Sequence, residues 1–438
     1  MNNRFRTILL SLFIIGVSFR SVAVGATYRV VYYLTNQNQS AGGIIEGSPG
    51  VFYSQSSGVS VFSVTVQGTA TTLASFADPP YNLASSPGTT GASGLVYSSV
   101  SQTINGGSGN VFSVSTTPGS EHIYPTQNLA PALAGNLPDG QLFGLVYNFS
   151  TGNTLGTVDL GGNTSSFYQF PSGDHPATPI YGADGNYYGI SYNAGVSGST
   201  SYFYRVTLSG SFTKVASLPF VGAGGSFTGA GLVLQGRDGN FYGIQSTFAG
   251  CGGQHGAVFK LTPSGQFAIL HDFGGCVNGR VDDLIEGSDG KLYGVTEGDN
   301  VLFSLTKSGT YKAISTVVGG LCTCTLVLGH DGIIYGTASG GGPTGAGLIF
   351  ALDAGLPVPQ PRAQHFSPAS GPVGARVRIW GYNLFGASVQ FNGVPATQAF
   401  NGGPNYVWAA VPAGATTGPI TITTPGGAVT TKASFTVQ

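Results

Sequence analysis

The sequence predicts an all-β protein: a seven-bladed β-propeller closed by its own N-terminal strand, followed by a small antiparallel β-sandwich. Three observations predict it. A short phrase recurs at near-constant spacing, glycine reaches 72 of 438 residues, and charged residues make up only 8%. Many short strands joined by glycine-rich turns produce such a composition. Beyond the N-terminus no apolar run approaches the ~20 residues a spanning helix needs.

The recurring phrase is a short apolar strand, Asp-Gly, two residues, an aromatic and a small residue. It stands at Asp139–Gly144, Asp184–Gly189, Asp238–Gly243, Asp289–Gly294 and Asp331–Gly336. Two weaker copies precede these, Pro49–Tyr53 and Ser93–Tyr97. The shared aromatic falls at Tyr53, Tyr97, Phe143, Tyr188, Tyr242, Tyr293 and Tyr335, with successive separations of 44, 46, 45, 54, 51 and 42 residues. That is the length of a four-stranded propeller blade. Later phrases such as Val258–Leu261 and Phe267–Phe273 supply a third and fourth strand, so each unit reads as strands a to d. Asp-Gly between a and b predicts a two-residue hairpin turn with both residues at positive φ. The repeated Asp is therefore first a turn residue.

The last unit has strand a at Leu326–Leu328, b at Tyr335 and c at Leu348–Leu352, but the chain then leaves through Pro357, Pro359 and Pro361. An orphan strand, Tyr28–Leu34, precedes the first unit. Pairing the two completes the seventh sheet and removes an exposed edge. The units are similar to the bacterial GloVer tandem repeat, best from about 180 to 352. That resemblance implies export and a propeller-like array, and no particular activity.

After the prolines, alternating runs read as a sandwich of about 75 residues. Phe366-Ser367-Pro368, Gly371-Pro372-Val373-Gly374, Val377–Leu384, Val389–Ala396, Val411-Pro412 and Gly418–Ile422 come in that order. The order resembles the IPT/TIG family, which implies an immunoglobulin-like fold over 364–438. Trp380 and Trp408 are read as core packing in preference to carbohydrate platforms. At the other end, Arg4 and Arg6, an apolar core from Ile8 to Val17, and Val24-Gly25-Ala26 have the pattern of a signal peptide. The expected organisation is a signal peptide over 1–26, the propeller over 27–355, a proline-rich linker over 356–363 and the immunoglobulin-like domain over 364–438. A bacterial protein, secreted or held at the cell surface, is the expectation.

Net charge is −1, from 16 Lys+Arg against 17 Asp+Glu. No basic field exists to attract phosphate backbones, so nucleic acid is not an expected partner. Only Arg376, Arg378 and Lys432 are basic in the C-terminal domain, too few for phosphate contacts. No catalytic motif is present. His122, His175, His255, His271, His330 and His365 show no ligand spacing and are read as solvated or turn residues. No metal or other cofactor is expected.

Export makes disulfides plausible among Cys251, Cys276, Cys322 and Cys324. Loops b–c and d–a emerge on one face of a propeller. Cys251 and Cys276 share that face and a blade, so Cys251–Cys276 is favoured, leaving Cys322–Cys324. Zinc with His255 is the alternative reading. The same face gathers His255, Asp282, Asp283, Glu297 and Asp299, the candidate ligand-binding group; Asp282 and Asp283 are placed in a d–a loop and the last two in a b–c loop. Loops on a rigid scaffold are the usual place for binding groups; a solubilising acidic rim is the simpler reading. The expected function is a non-catalytic extracellular binding or adhesion protein whose ligand is a glycan or a protein. An exported polysaccharide lyase or hydrolase and a structural surface-layer component are the alternatives.

Overall fold

The computed structural model describes residues 25–438 apart from 36–40, 57–59, 76–80, 84–88, 91–95, 103–108, 116–117, 126–129, 137–141, 148–152, 160, 162, 194–200, 208, 220–226, 249–253, 275–279, 319–324, 398 and 402–405. The expected signal peptide up to residue 24, and all four cysteines with their expected pairings, lie outside the described residues. What is described is all β, without helix. Seven antiparallel sheets occupy, in chain order, 41–75, 81–125, 130–169, 174–218, 227–272, 281–316 and 326–353.

The hairpins inside the sheets follow from glycine, though not by the turn the sequence suggests. In the fourth sheet the Gly185 N–H donates to the Gly182 carbonyl at 3.0 Å, and the Gly182 N–H to the Asn186 carbonyl at 2.7 Å. Gly185 has φ 84°, whereas Asp184 is not among the described non-glycine residues at positive φ, which are Asn300, Asn383 and Asn392. The connection is therefore a three-residue loop, a turn finished by one left-handed glycine. It recurs at Gly236–Asn240, Gly287–Lys291 and Gly329–Ile333. The Asp uses its carboxylate instead. Asp238 accepts from the Asn240 N–H at 3.2 Å, the Asn240 amide at 2.9 Å and the Tyr242 hydroxyl at 2.7 Å. Asp184, Asp289 and Asp331 hold Tyr188, Tyr293 and Tyr335 in the same way. Four-residue spacing from Asp to Tyr thus ties each turn to the aromatic of the next strand.

Sheets pack on their neighbours through shared apolar clusters. Tyr53 and Leu73 of the first meet Phe112 and Val114 of the second. Phe143 and Leu155 of the third meet Tyr187 and Tyr204 of the fourth. Tyr188 and Phe203 meet Phe241 and Phe259 of the fifth; Tyr242 and Val258 meet Leu284 and Phe303 of the sixth. Tyr293 and Leu302 meet Ile334 and Phe350 of the seventh. Tyr335, Ile349 and Ala351 of the seventh then meet Ile44, Phe52 and Val64 of the first. The N-terminal strand Thr27–Tyr33 pairs antiparallel with Leu348–Asp353, Tyr28 opposite Leu352 and Val30 opposite Phe350. The strand pairing expected between these segments is present.

One polar contact repeats between sheets. The residue before the turn Asp donates its backbone N–H to a side chain at the end of the neighbouring first strand. Ala183 donates to Gln235 at 2.7 Å, Arg237 to Glu286 at 2.8 Å, and His330 to Glu46 at 2.9 Å. The last of these joins the seventh sheet to the first. His330 also meets Glu46 through its ring, Nδ1 to Oε1 at 2.6 Å, and burial pushes the Glu46 carboxyl above its ordinary range. His330 is thus the half-buried partner of a buried carboxyl, not a free turn residue.

C-terminal to these, Arg362–Ser367, Arg376–Tyr382, Tyr406–Ala410 and Ala399–Asn401 form one sheet. Ser370–Gly371, Gly427–Val437, Gly418–Thr424, Ser388–Phe391 and Val394–Pro395 form another. Val377, Ile379 and Val407 of the first face Val389, Phe391, Ile420, Ile422 and Phe435 of the second across a common core. Period-two alternation sends the intervening Arg378, Trp380, Tyr406 and Trp408 to the opposite face. There Trp380, Tyr406 and Trp408 form their own buried cluster with Tyr181 of the fourth sheet. Both tryptophans are buried, but outside the core between the two C-terminal sheets.

Candidate functional site

The strands that lead into the Asp-Gly turns of the fourth to seventh sheets, Ile180–Tyr181, Phe227–Gln235, Val281–Glu286 and Leu326–Leu328, end side by side there. The outer face of Arg376–Tyr382 lies against those ends. Tyr181 stacks on Trp380 with centroids 5.4 Å apart and 17° between planes. The Tyr382 hydroxyl donates to the Gly236 carbonyl at 3.2 Å, and Ser288 Oγ to the Pro357 carbonyl at 2.5 Å. Between them is a chamber of about 430 Å³. Leu234, Ile285 and Val327 give it apolar walls, Asp283 and Glu286 acidic ones, and Arg378, Trp380 and Tyr406 its C-terminal end. That volume is in the range of small-molecule sites.

The two ends differ electrically. Arg378 is 3% exposed and sits over four aromatic rings, 3.9 Å from the Tyr406 centroid, 4.8 Å from Trp380 and 5.4 Å from Tyr181 and Trp408. Burial pulls its pKa below the ordinary value. His365 stacks on Trp380 at 4.4 Å, and burial lowers its pKa as well. Across the chamber, Asp283 accepts the N–H of Leu284 through Oδ1 and that of Leu326 through Oδ2, both at 2.8 Å. Burial, partly opposed by these two bonds, pushes its carboxyl up to about 6. Glu286 is committed to Lys307 at 2.7 Å and to the Arg237 N–H. Asp283 is thus the wall carboxyl whose charge changes near neutral pH.

Of the five candidates read from the sequence, Asp283 lines this chamber. Asp282 and Asp283 belong to the strand Val281–Glu286 and not to a loop. Arg280 draws Asp282 and Glu297 together, at 3.8 and 3.3 Å. The Glu297 N–H also donates to the Arg280 carbonyl at 2.7 Å. Glu297 and Asp299 do lie in the connection between Leu292–Thr296 and Val301–Leu305, where Asp299 accepts from Thr296 Oγ1 at 2.6 Å. His255 lies in Gln254–Leu261, its backbone paired with Thr247. Asp282, next to Asp283 on the strand, turns to Arg280, and Glu297 and Asp299 follow Thr296, which pairs with Val281 at the end of the sixth sheet away from the Gly287–Lys291 turn. Sequence reasoning set Trp380 aside as core packing, counted Arg378 only as one of few basic residues, and did not single out Tyr406. One signal was available: Val377-Arg378-Ile379-Trp380 has apolar residues on both faces, which marks a strand covered on both sides. Among the described residues no cluster of three or more His, Cys, Asp or Glu could hold a metal ion.

This architecture defines a propeller-like all-β protein with a ligand-sized chamber under its C-terminal sheets. A family model described as the Gloeobacter/Verrucomicrobia repeat matches residues 175–358. No curated protein matches the chain. Among solved structures, a streptogramin B lyase is similar at 14% identity and a TM-score of 0.56, covering 76% of this chain and 98% of its own. Virginiamycin B lyase from Staphylococcus aureus, in an inactive form with quinupristin, is similar at 15% identity and a TM-score of 0.53, covering 75% and 99%. A WD40 β-propeller domain gives 11% identity and a TM-score of 0.46, covering 74% and 97%. At these identities the likeness to the two lyases is one of fold.

Proposed function

We propose that this chain is an exported, non-catalytic binding protein. In this reading the seven sheets are the blades of a closed propeller, and an IPT/TIG-type immunoglobulin-like domain caps one end of its channel. The ligand occupies the chamber between the two. The chamber is the observation that carries the proposal: a volume of about 430 Å³ at the junction, walled by aromatic, apolar and charged side chains. Ring closure is supported by the seventh-to-first contact between His330 and Glu46, which repeats the contacts between consecutive sheets. The acidic group at the other end is engaged by Arg280, which favours a solubilising rim there. A small glycan is the ligand class that a mixed aromatic and polar chamber fits best. Filling the chamber tests this. Val327→Trp places an indole among the inner strands, and we expect it to abolish glycan-array binding by the chain from residue 27 while leaving thermal stability near wild type. Binding that survives in the folded variant places the ligand elsewhere.

A second reading, a lyase or hydrolase acting on exported polysaccharide, draws on one observation. Asp283 titrates near 6 inside the chamber, where a carboxyl can act as acid or base. Product formed by the wild type and lost in Asp283→Asn would favour it.

A further inference from the structure

Arg378 is a buried charge without a counter-charge among the described residues. A guanidinium stays protonated in a protein, and withdrawing one from water is costly unless it is paired. No ion pair to it is found among the described residues. Its Nε and Nη1 make no hydrogen bond. The surrounding aromatic faces stabilise the cation, but they leave its N–H groups without acceptors. Beside it, Trp380 Nε1 is a second buried donor lacking an acceptor. Both residues line the chamber. The C-terminal end of the chamber therefore carries a positive charge with donors that lack partners among the described residues, which an anionic acceptor in the chamber complements.

Taking the chamber as the binding site, we propose that Arg378 and Trp380 hold the carboxylate of a small acidic sugar. The other walls select within the anions. Asp283 and Glu286 share the chamber, so a ligand with several negative charges is repelled, and one carboxylate matches one guanidinium. Beside their own hydrogen bonds, the two carboxyls keep lone pairs that can accept from hydroxyls, which a sugar brings and a plain aromatic acid does not.

The chain contains two tryptophans, Trp380 and Trp408, and both flank Arg378. Intrinsic fluorescence therefore reports on this site directly. The chain from residue 27 is titrated with glucuronate, galacturonate and their disaccharides, and separately with the neutral sugars, phenylacetate and inorganic phosphate. The expected result is a saturable change with the uronates alone, weakened at least about tenfold in Arg378→Met. Removing an unpaired buried charge should also raise the melting temperature of the ligand-free Met variant, which a merely structural arginine would not do. Should the Met variant not fold, Arg378→Lys decides: it keeps the charge and loses the planar fork, so uronate affinity falls if the proposal holds. Unchanged uronate affinity in either folded variant overturns it. So does the absence of a saturable uronate response, or a response to phenylacetate or phosphate in place of the uronates. Neutral glycans that bind, are blocked by Val327→Trp and ignore Arg378→Met would leave the chamber as the site while refuting the carboxylate.

Discussion

At the scale of single residues, burial governs the titration of Asp283. Its carboxyl is pushed up to about 6 from an ordinary 3.8, so the native state holds its proton more tightly than the unfolded chain does. Below about pH 4 the group is protonated in both states and carries no penalty. As pH rises from 4 to 6 the unfolded chain loses the proton first, and stability falls. Above 6 the loss is complete, about 3 kcal/mol for that interval at 1.36 kcal/mol per pH unit. Asp283→Asn removes this term. Its unfolding free energy, measured by urea melts, should therefore gain about 3 kcal/mol relative to wild type between pH 4 and pH 7. A constant difference across that range would mean the carboxyl is solvated. The sequence could single out Asp283 because charge is scarce in this chain, yet it gave no reason to separate it from Asp282. One residue along a strand reverses the side a side chain faces; Asp282 goes to Arg280 and Asp283 to the chamber.

At the scale of elements, the repeat was legible because its residues answer local steric demands. The small residue after each aromatic is an example. A Cβ on Gly294 would collide with the Phe303 ring of the next strand, and one on Gly243 or Gly336 would meet Phe259 or Phe350. Glycine thus lets the aromatic of the third strand lie across the second. Gly294→Ala should cost about 1–3 kcal/mol by overpacking, read as a lowered urea midpoint with unchanged slope. A variant as stable as wild type would show that Phe303 has room to move aside. The turn itself was half legible: Asp-Gly marks the hairpin, but Asp184 and its counterparts serve by accepting the tyrosine hydroxyl rather than by taking positive φ. The chamber was not legible in the same way. Arg378 and Trp380 lie on one face of an ordinary sandwich strand, and an element about 200 residues earlier, at Tyr181, packs on that face. No local pattern encodes that meeting.

At the scale of the molecule, the proposed ring depends on one strand. Thr27–Tyr33 is the outermost strand of the seventh sheet and pairs only with Leu348–Asp353 there. Tyr28 and Val30 pack into the cluster between the sixth and seventh sheets, while Val31 and Tyr32 pack into that between the seventh and first. Tyr28 also lies 5.6 Å from Phe350. Removing the strand uncovers both junctions and leaves Leu348–Asp353 as a long apolar edge. Each of the four side chains contributes on the order of 1 kcal/mol by burial, with the lost ladder added. Deleting residues 27–34 should lower the stability of the array by about 5 kcal/mol and its melting temperature by roughly 10 °C. In a closed ring the loss is shared, because opening the seventh-to-first junction frees Glu46 and His330 as well; the main calorimetric transition moves as one. In an open array the same deletion strips a terminal strand, and a main transition that stays at its wild-type temperature would refute the closure.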